Sequence, residues 1–536
     1  MRDPGAPESF DTRPERYRHW RLSVDGRIAH LALAVDESGA LMDEVVLKLN
    51  SYDVGVDIEL RDAVRRLRFE HPEVACVVIE SANLDVFCAG ANIPTLANSS
   101  HSLKLNFCKL TNETRLAIED ATRAGQTYLA ALRGTASGGG YELAMACERI
   151  LLIDDRRSAV SLPELPLLGV LPGTGGLTRL VDKRGVRRDI ADHFCTLQEG
   201  VRAQRALEWR LVDAVALPTG FEALVAEELA RVIAAAGPPR AERGVPLEPI
   251  EPELGERAIR YTHITVELDP AARTARLVVR PPSGADRELL LDGLRMAREL
   301  DDAILRLRFH YPELGIWILS TEGEPEQVRA LDAALAGPDW LAGEVRALIG
   351  RVLKRLENSA RSSFALIEPG SCWVGTLFEL ALASDRSYML EGDSALRIEL
   401  TNANRGAYPM ANGLTRIETR FIGDPKARDR ALAAVGPLTA NDALQLGLVF
   451  AALDDIDYDD EVRVAIEERA SFSPDALTGL EANLRLPGPE TLETKIFGRL
   501  SAWQNWIFQR PNASGPEGAL RSFGQPQRPK FDWKRT

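Results

Sequence analysis

The chain has 536 residues, well past the ~250–300 at which a single hydrophobic core stops growing, so at least two domains are expected. Its 45% hydrophobic and 27% charged content is that of an ordinary globular protein, and 65 Lys+Arg against 79 Asp+Glu leave a formal charge of −14. That sign excludes a protein that coats nucleic acid or an anionic membrane. No run of ~18 apolar residues occurs, and the first twenty residues are charged and Pro-containing, so neither a membrane span nor an export signal is expected. The cysteines at 76, 88, 108, 147, 195 and 372 form no C-x-x-C pair, and the seven histidines form no H-E-x-x-H. Reduced thiols in a cytoplasmic protein are therefore expected, with no disulfide framework, no metal site and no nicotinamide fingerprint.

In chain order, β-rich runs at His30–Val35 and Val74–Ile79 alternate with amphipathic stretches, a pattern that predicts an α/β fold of parallel strands joined by crossover helices. After the second strand and its polar turn comes Asp85-Val86-Phe87-Cys88-Ala89-Gly90-Ala91-Asn92-Ile93. Small residues there bring backbone close either to a ligand or to neighbouring structure. Next, Ser137-Gly138-Gly139-Gly140-Tyr141-Glu142-Leu143-Ala144 places three glycines at the start of a helix. Bare N–H groups at the positive end of a helix dipole can hold an oxyanion, and the same glycines also suit tight helix–sheet packing. Glu164 then stands alone in the apolar stretch from Ser161 to Gly176. Burial raises a carboxyl pKa into the range useful for proton transfer, whereas a capping glutamate would need no such task.

The sequence also repeats. Residues 61–73 and 301–313 share eight identities in thirteen, at an offset of 240. Glu142-Leu143-Ala144 and Gly176-Leu177-Thr178-Arg179 recur as Glu379-Leu380-Ala381 and Gly413-Leu414-Thr415-Arg416, at an offset of 237. Residues 237–255 hold five prolines and three glycines, the composition of an exposed connector. The domains are therefore expected at 1–256 and 257–536, with a polar tail after about 480 that packs on a neighbour or stays partly free. In the second copy Gly139 and Gly140 become Thr376 and Leu377, and Glu164 falls opposite Thr401. That spoils a glycine loop, and leaves Glu379, aligned with Glu142, as a structural pair or cap.

The three segments together, F-x-A-G-A-N-I, then G-G-G-x-E-L-A, then P-E-x-x-L-G-x-x-P-G-x-G-G, resemble the crotonase (enoyl-CoA hydratase/isomerase) superfamily over residues 20–235. The resemblance implies tandem crotonase-like spiral domains of repeated ββα units with helical C-terminal subdomains, the second copy degenerate. It implies that the N–H groups of Ala91 and Gly139 form an oxyanion hole for a CoA thioester carbonyl and that Glu142 and Glu164 are the acid/base carboxylates. Ala89, Gly90, Asn92, Ile93 and Gly138 would line the acyl-CoA site, and Cys108 is either a wall of the ring pocket or a buried inert thiol. The stretch Leu47–Leu60, the doubled length and the tail resemble a branch that opens the ring of an aromatic acyl-CoA with water and releases formate. On that resemblance no cofactor or metal is needed beyond the coenzyme A carried by the substrate, and the assembly is a homodimer. An ordinary enoyl-CoA hydratase and a non-catalytic scaffold remain as alternatives.

Overall fold

In the computed structural model, which describes all residues but 1–4, 239, 241, 394 and 527, the chain divides into two units, Met1–Pro249 and Ile250–Thr536. The strands of the first are β1 (Trp20–Asp25), β2 (Ile28–Leu33), β3 (Cys76–Ser81), β4 (Val86–Cys88), β5 (Thr127–Leu132), β6 (Thr135–Ser137), β7 (Arg149–Ile153), β8 (Ala159–Ser161), β9 (Val201–Arg202) and β10 (Ala214–Ala216). They make a six-stranded sheet in the order β1-β2-β3-β5-β7-β10 and a four-stranded sheet β4-β6-β8-β9. All pairs in the larger sheet are parallel except the β1–β2 hairpin. Residues Cys76–Ile79 and Tyr128–Leu132 are fully buried, as expected of parallel strands covered on both faces. One face packs Cys76, Val78, Leu129, Ala131 and Leu151 against Phe221, Val225 and Val232.

The first expected strand, His30–Val35, lies two residues later in sequence than the strand that forms, and the second, Val74–Ile79, two residues earlier. Val35 leaves the ladder to donate to the Asn50 side chain (3.2 Å), and Val74, though buried, closes a turn onto His71 O (3.1 Å).

Helices that position the site are α1 (Val54–Phe69), α2 (Ile93–Asn98), α3 (His101–Arg123), α4 (Gly139–Ala146) and α5 (Glu164–Leu168). Asp53, Asn92 and Ser100 cap the first three by accepting from Val56 N, Thr95 N and Leu103 N. The charges of α1 are buried and paired. Glu59 accepts the N–H groups of Arg18, His19 and Trp20 at 2.8, 2.8 and 3.1 Å. Asp62 accepts from Tyr17 Oη (2.6 Å) and Arg66 Nε (2.7 Å).

The second unit carries β11 (Glu253–Leu254), β12 (Ala258–Arg260), β13 (Ile264–Asp269), β14 (Thr274–Val279), β15 (Ile316–Thr321), β16 (Ser362–Ile367), β17 (Arg386–Leu390) and β18 (Ala451–Leu453), in one sheet and in chain order. Pairing is antiparallel through β14 and parallel from there to β18. The repeated block falls on a helix in both units, α1 and the helix Asp286–His310.

Two expectations are corrected. Residues 239 and 241 of the connector lie outside the described residues and most of the others are exposed as expected, but Val245 and Leu247 are buried. Their N–H groups donate to Phe69 O (2.7 Å) and Glu70 Oε1 (2.8 Å), so alternate apolar residues stitch this segment onto the end of α1. The pairing of Glu253 and Leu254 with Arg260 and Ile259 draws residues 253–254 into the second sheet. The chain end is not free either. Arg535 and Thr536 are buried, Arg535 N–H donates to Pro312 O (2.8 Å), and its guanidinium pairs with Glu481.

Candidate active site

The strand β4 ends in the loop Ala89–Asn92, which lies against the start of α4. Gly90 has φ +84°, and a methyl group there would stand 2.7 Å from Ser137 O and 2.8 Å from Gly139 N. No other residue fits that approach. A methyl on Gly139 would lie 3.4 Å from Ala91 N, so the two N–H groups are neighbours. As the first residue of α4, Gly139 has no intrahelical acceptor. Gly138, at φ +52°, leaves room where a methyl would meet Glu164 Oε1 at 2.6 Å. Its N–H donates to Ser161 O (2.9 Å), which joins the second and third sequence segments through β6 and β8.

Glu142, in the first turn of α4, is 2% exposed. Its Oε1 accepts from Thr174 N (3.0 Å) and Gly176 N (2.7 Å), and its Oε2 from Thr174 Oγ1. The P-G-T-G-G turn thus exists to satisfy a buried carboxylate. Glu164 opens α5 beside it. Its Oε2 is buried with no hydrogen-bond partner among the described residues. Burial, with the charge of Glu142 second, raises its pKa to about 7. Past Glu164, Leu165, Leu167, Leu168, Val170 and Leu171 are exposed, an apolar wall unlike a solvated loop.

The remaining sequence-derived residues separate by role. Ala89 N–H donates to Leu49 O (3.1 Å), and Ile93 is exposed at the head of α2. Asn92 is spent on structure: it caps Thr95 and donates to Val46 O and Ser51 Oγ, both at 3.0 Å. Cys108 on α3 faces Gly173, whose added methyl would lie 3.7 Å from its Sγ. Burial, then Glu142, pushes that thiol up to about 11, so it is protonated at neutral pH. Sequence reasoning missed Thr174 and also Arg115, which donates to Gly139 O (2.9 Å). The T-G-G run after Pro172 was a usable signal for the first; a lone arginine on an amphipathic helix gave none for the second.

The enoyl-CoA hydratase/isomerase family matches residues 47–240. A benzoyl-CoA-dihydrodiol lyase of Aromatoleum evansii is 51% identical over 541 aligned positions, 98% of this chain and 98% of its own length. The chain belongs to the benzoyl-CoA-dihydrodiol lyase branch of the enoyl-CoA hydratase/isomerase family. Among solved structures, an enoyl-CoA hydratase of Geobacillus kaustophilus is 29% identical with a TM-score of 0.36, over 41% of this chain and 78% of that one. Another, of Mycobacterium avium subsp. paratuberculosis, is 26% identical with a TM-score of 0.33, over 41% and 76%.

The second unit treats the matching positions differently. At the start of the helix Gly375–Ala383, Thr376 N–H and Oγ1 donate to Asp332 Oδ1 at 3.2 and 2.5 Å, and Thr401 Oγ1 donates to Asp332 Oδ2 at 2.5 Å. A carboxylate of the chain itself occupies this helix start. Glu379 accepts from Asn404 Nδ2 and Arg416 Nη1, each at 2.7 Å. Among the described residues no cluster of three or more His, Cys, Asp or Glu is arranged to hold a metal, and no helix is long and apolar enough to cross a membrane.

Proposed function

We propose that the first unit converts 2,3-epoxybenzoyl-CoA and two waters into 3,4-didehydroadipyl-CoA semialdehyde and formate. The observation that carries this reading is the 51% identity to a benzoyl-CoA-dihydrodiol lyase across nearly the whole of both chains, joined to a site with paired N–H groups and two carboxylates. The atoms balance: seven acyl carbons become six plus formate, the two waters supply the added hydrogens and oxygens, and no oxidant is needed.

In this reading Ala91 and Gly139 donate to the thioester oxygen and stabilise the enolate formed next to it, a contribution of ~10²–10³ in rate per donor. Glu142, saturated by Thr174 and Gly176, is the fixed charge that orients water. Glu164, with an unpartnered oxygen and a pKa near neutrality, carries the proton between water and the opening ring. Gly90, Gly138, Ile93 and Ala89 shape the acyl pocket, and the exposed leucines after Glu164 cover the ring. The chemistry uses no cofactor of the protein's own.

We further propose that residues 257–536 are a degenerate second copy of the catalytic domain 1–256. Three features support it. The hairpin and parallel order β1-β2-β3-β5-β7-β10 matches β13-β14-β15-β16-β17-β18 pair by pair. The triad Tyr17, Asp62, Arg66 recurs as Tyr261, Asp302, Arg306. Glu59 at the N–H groups leading into β1 recurs as Glu299 at Thr262 N (3.3 Å) and His263 N (2.7 Å), leading into β13. Exposed Leu492, Phe497, Phe508 and Phe523 support a homodimer joined through the C-terminal helices, which sedimentation would test.

The deciding experiment incubates the purified protein with 2,3-epoxybenzoyl-CoA and quantifies formate and the ring-opened CoA product. One formate per substrate consumed is expected. Hydration of crotonyl-CoA with no formate would make the chain a hydratase, and nucleic-acid retention without acyl-CoA turnover would make it a scaffold.

A further inference from the structure

Behind the two neighbouring N–H groups lies a buried polar cluster of Tyr52, Asp57, Thr114 and Arg115. Tyr52 runs alongside the Ala89–Asn92 loop: its N–H donates to Gly90 O (2.9 Å), and its carbonyl accepts from Asn92 N (2.9 Å). This pairing turns the intervening Ala91 N–H to the opposite side. The phenol of Tyr52 donates to Asp57 Oδ1 (2.8 Å), and Thr114 Oγ1 donates to Asp57 Oδ2 (2.7 Å). One residue along α3, Arg115 lies 5.9 Å from the Tyr52 ring centroid. It donates through Nη2 to Gly139 O (2.9 Å) and through Nη1 to Thr111 O (3.1 Å). Asp57 is fully buried and Arg115 is 2% exposed. Each charge would be costly alone.

The geometry assigns Tyr52, Asp57 and Arg115 as one positioning unit that fixes the Ala91 and Gly139 N–H groups relative to each other. Tyr52 holds one loop by its backbone, Arg115 holds the other through the Gly139 carbonyl, and Asp57 ties Tyr52 to α3 through Thr114. The buried opposite charges keep the unit in place: burial pushes the Asp57 carboxyl up, and Arg115 is the main influence drawing it back. Because none of these side chains faces the reacting atoms, they act through the donors they hold. The inference rests on the reading of Ala91 and Gly139 as the oxyanion hole.

The test uses the full-length protein with benzoyl-CoA labelled with ¹³C at the thioester carbonyl, whose stretching frequency reports how strongly it is polarised. In the wild type, binding is expected to lower that frequency. Arg115→Met is expected to move it back toward the solution value and to lower kcat for formate release by ~10–100-fold, the range in which a small misplacement of a catalytic group acts. The dissociation constant for benzoyl-CoA should change no more than threefold, and Arg115→Lys should recover part of both losses. Should Arg115→Met not fold, Tyr52→Phe removes one hydroxyl only and is expected to give a smaller shift in the same direction. A bound frequency unchanged from wild type in the folded variants overturns the positioning role while leaving the oxyanion reading intact. A wild-type protein whose bound carbonyl shows no lowering overturns both.

Discussion

Glu164→Gln should make the protein more stable and less active, and the stability gain should depend on pH in a defined direction. The carboxyl holds its proton up to about 7 in the folded chain, against an ordinary value of 4.5. Below 4.5 both folded and unfolded chains are protonated and the residue contributes nothing. Between 4.5 and about 7 the unfolded chain gives up the proton while the folded chain keeps it, so the native state is penalised increasingly; above 7 the penalty is constant. At ~1.4 kcal/mol per pH unit the full penalty is ~3 kcal/mol, and partial solvent access reduces it to ~1–2 kcal/mol. Gln keeps the shape and escapes ionisation. Thermal unfolding of the first unit should therefore coincide for wild type and variant at pH 4.5, and separate by ~2–8 °C at pH 8, with the variant higher. Single-turnover formate release should fall by ~10²–10⁴-fold, with benzoyl-CoA binding retained. A stability difference that is the same at both pH values refutes the raised pKa, and wild-type turnover in the variant refutes the proton-transfer role.

Glu142→Gln should lose as much activity but also stability. Its side-chain oxygen can still accept from Thr174 N and Gly176 N, and its amide nitrogen would donate to Thr174 Oγ1 turned to accept, so charge-assisted bonds become neutral ones, which costs ~1 kcal/mol, read as a lower unfolding midpoint. Gly139→Val should lose at least ~10²-fold in turnover in a folded protein, since its side chain would enter the space beside Ala91 N; near-normal turnover removes Gly139 from the site. Glu379→Gln should leave formate release unchanged at low temperature while lowering the unfolding temperature, because Arg416 loses a buried ion-pair partner; a loss of turnover with intact assembly would give the second unit a part in catalysis. Exhaustive chelation and exclusion of oxygen should not slow formate release, and activity restored by one divalent metal would contradict a reaction balanced by water alone.

The positions of the three segments were legible because glycine spacing reports backbone approach directly. Gly90 and Gly138 each stand where a methyl group would strike backbone or Glu164, and a sequence records such prohibitions as glycine. The lone glutamate at 164 was equally readable, since an apolar stretch does not tolerate a carboxylate without a reason. Arg115 and Asp57 were not readable, because an arginine or aspartate on an amphipathic helix is as ordinary on the surface as it is buried, and only the tertiary pairing distinguishes them. The connector misled for a related reason: prolines and glycines in residues 237–255 suggest exposure, yet Val245 and Leu247 alternate onto the end of α1, a two-residue signal too short to stand out.

The two helix starts, at Gly139 and at Gly375, illustrate one electrostatic requirement met in two ways. A helix that begins at a buried position leaves N–H groups and a positive dipole end that favour a negative partner. In the second unit that partner is permanent: Asp332 accepts from Thr376 and Thr401, and a methyl on Gly375 would come within 1.7 Å of its Oδ2. Once a carboxylate on the same chain occupies the position, a bare glycine after Gly375 is no longer required, and Thr376 adds a hydroxyl donor to the carboxylate's other oxygen, Oδ1. In the first unit the acidic side chain nearest the corresponding place is Glu164, whose Oε1 a methyl on Gly138 would meet at 2.6 Å, and Arg115 braces the helix start from behind through the Gly139 carbonyl without supplying an anion. On the proposed reading of Ala91 and Gly139, the N–H groups there serve negative charge that develops on a ligand, which is the condition for stabilising an enolate more strongly than the neutral thioester from which it forms.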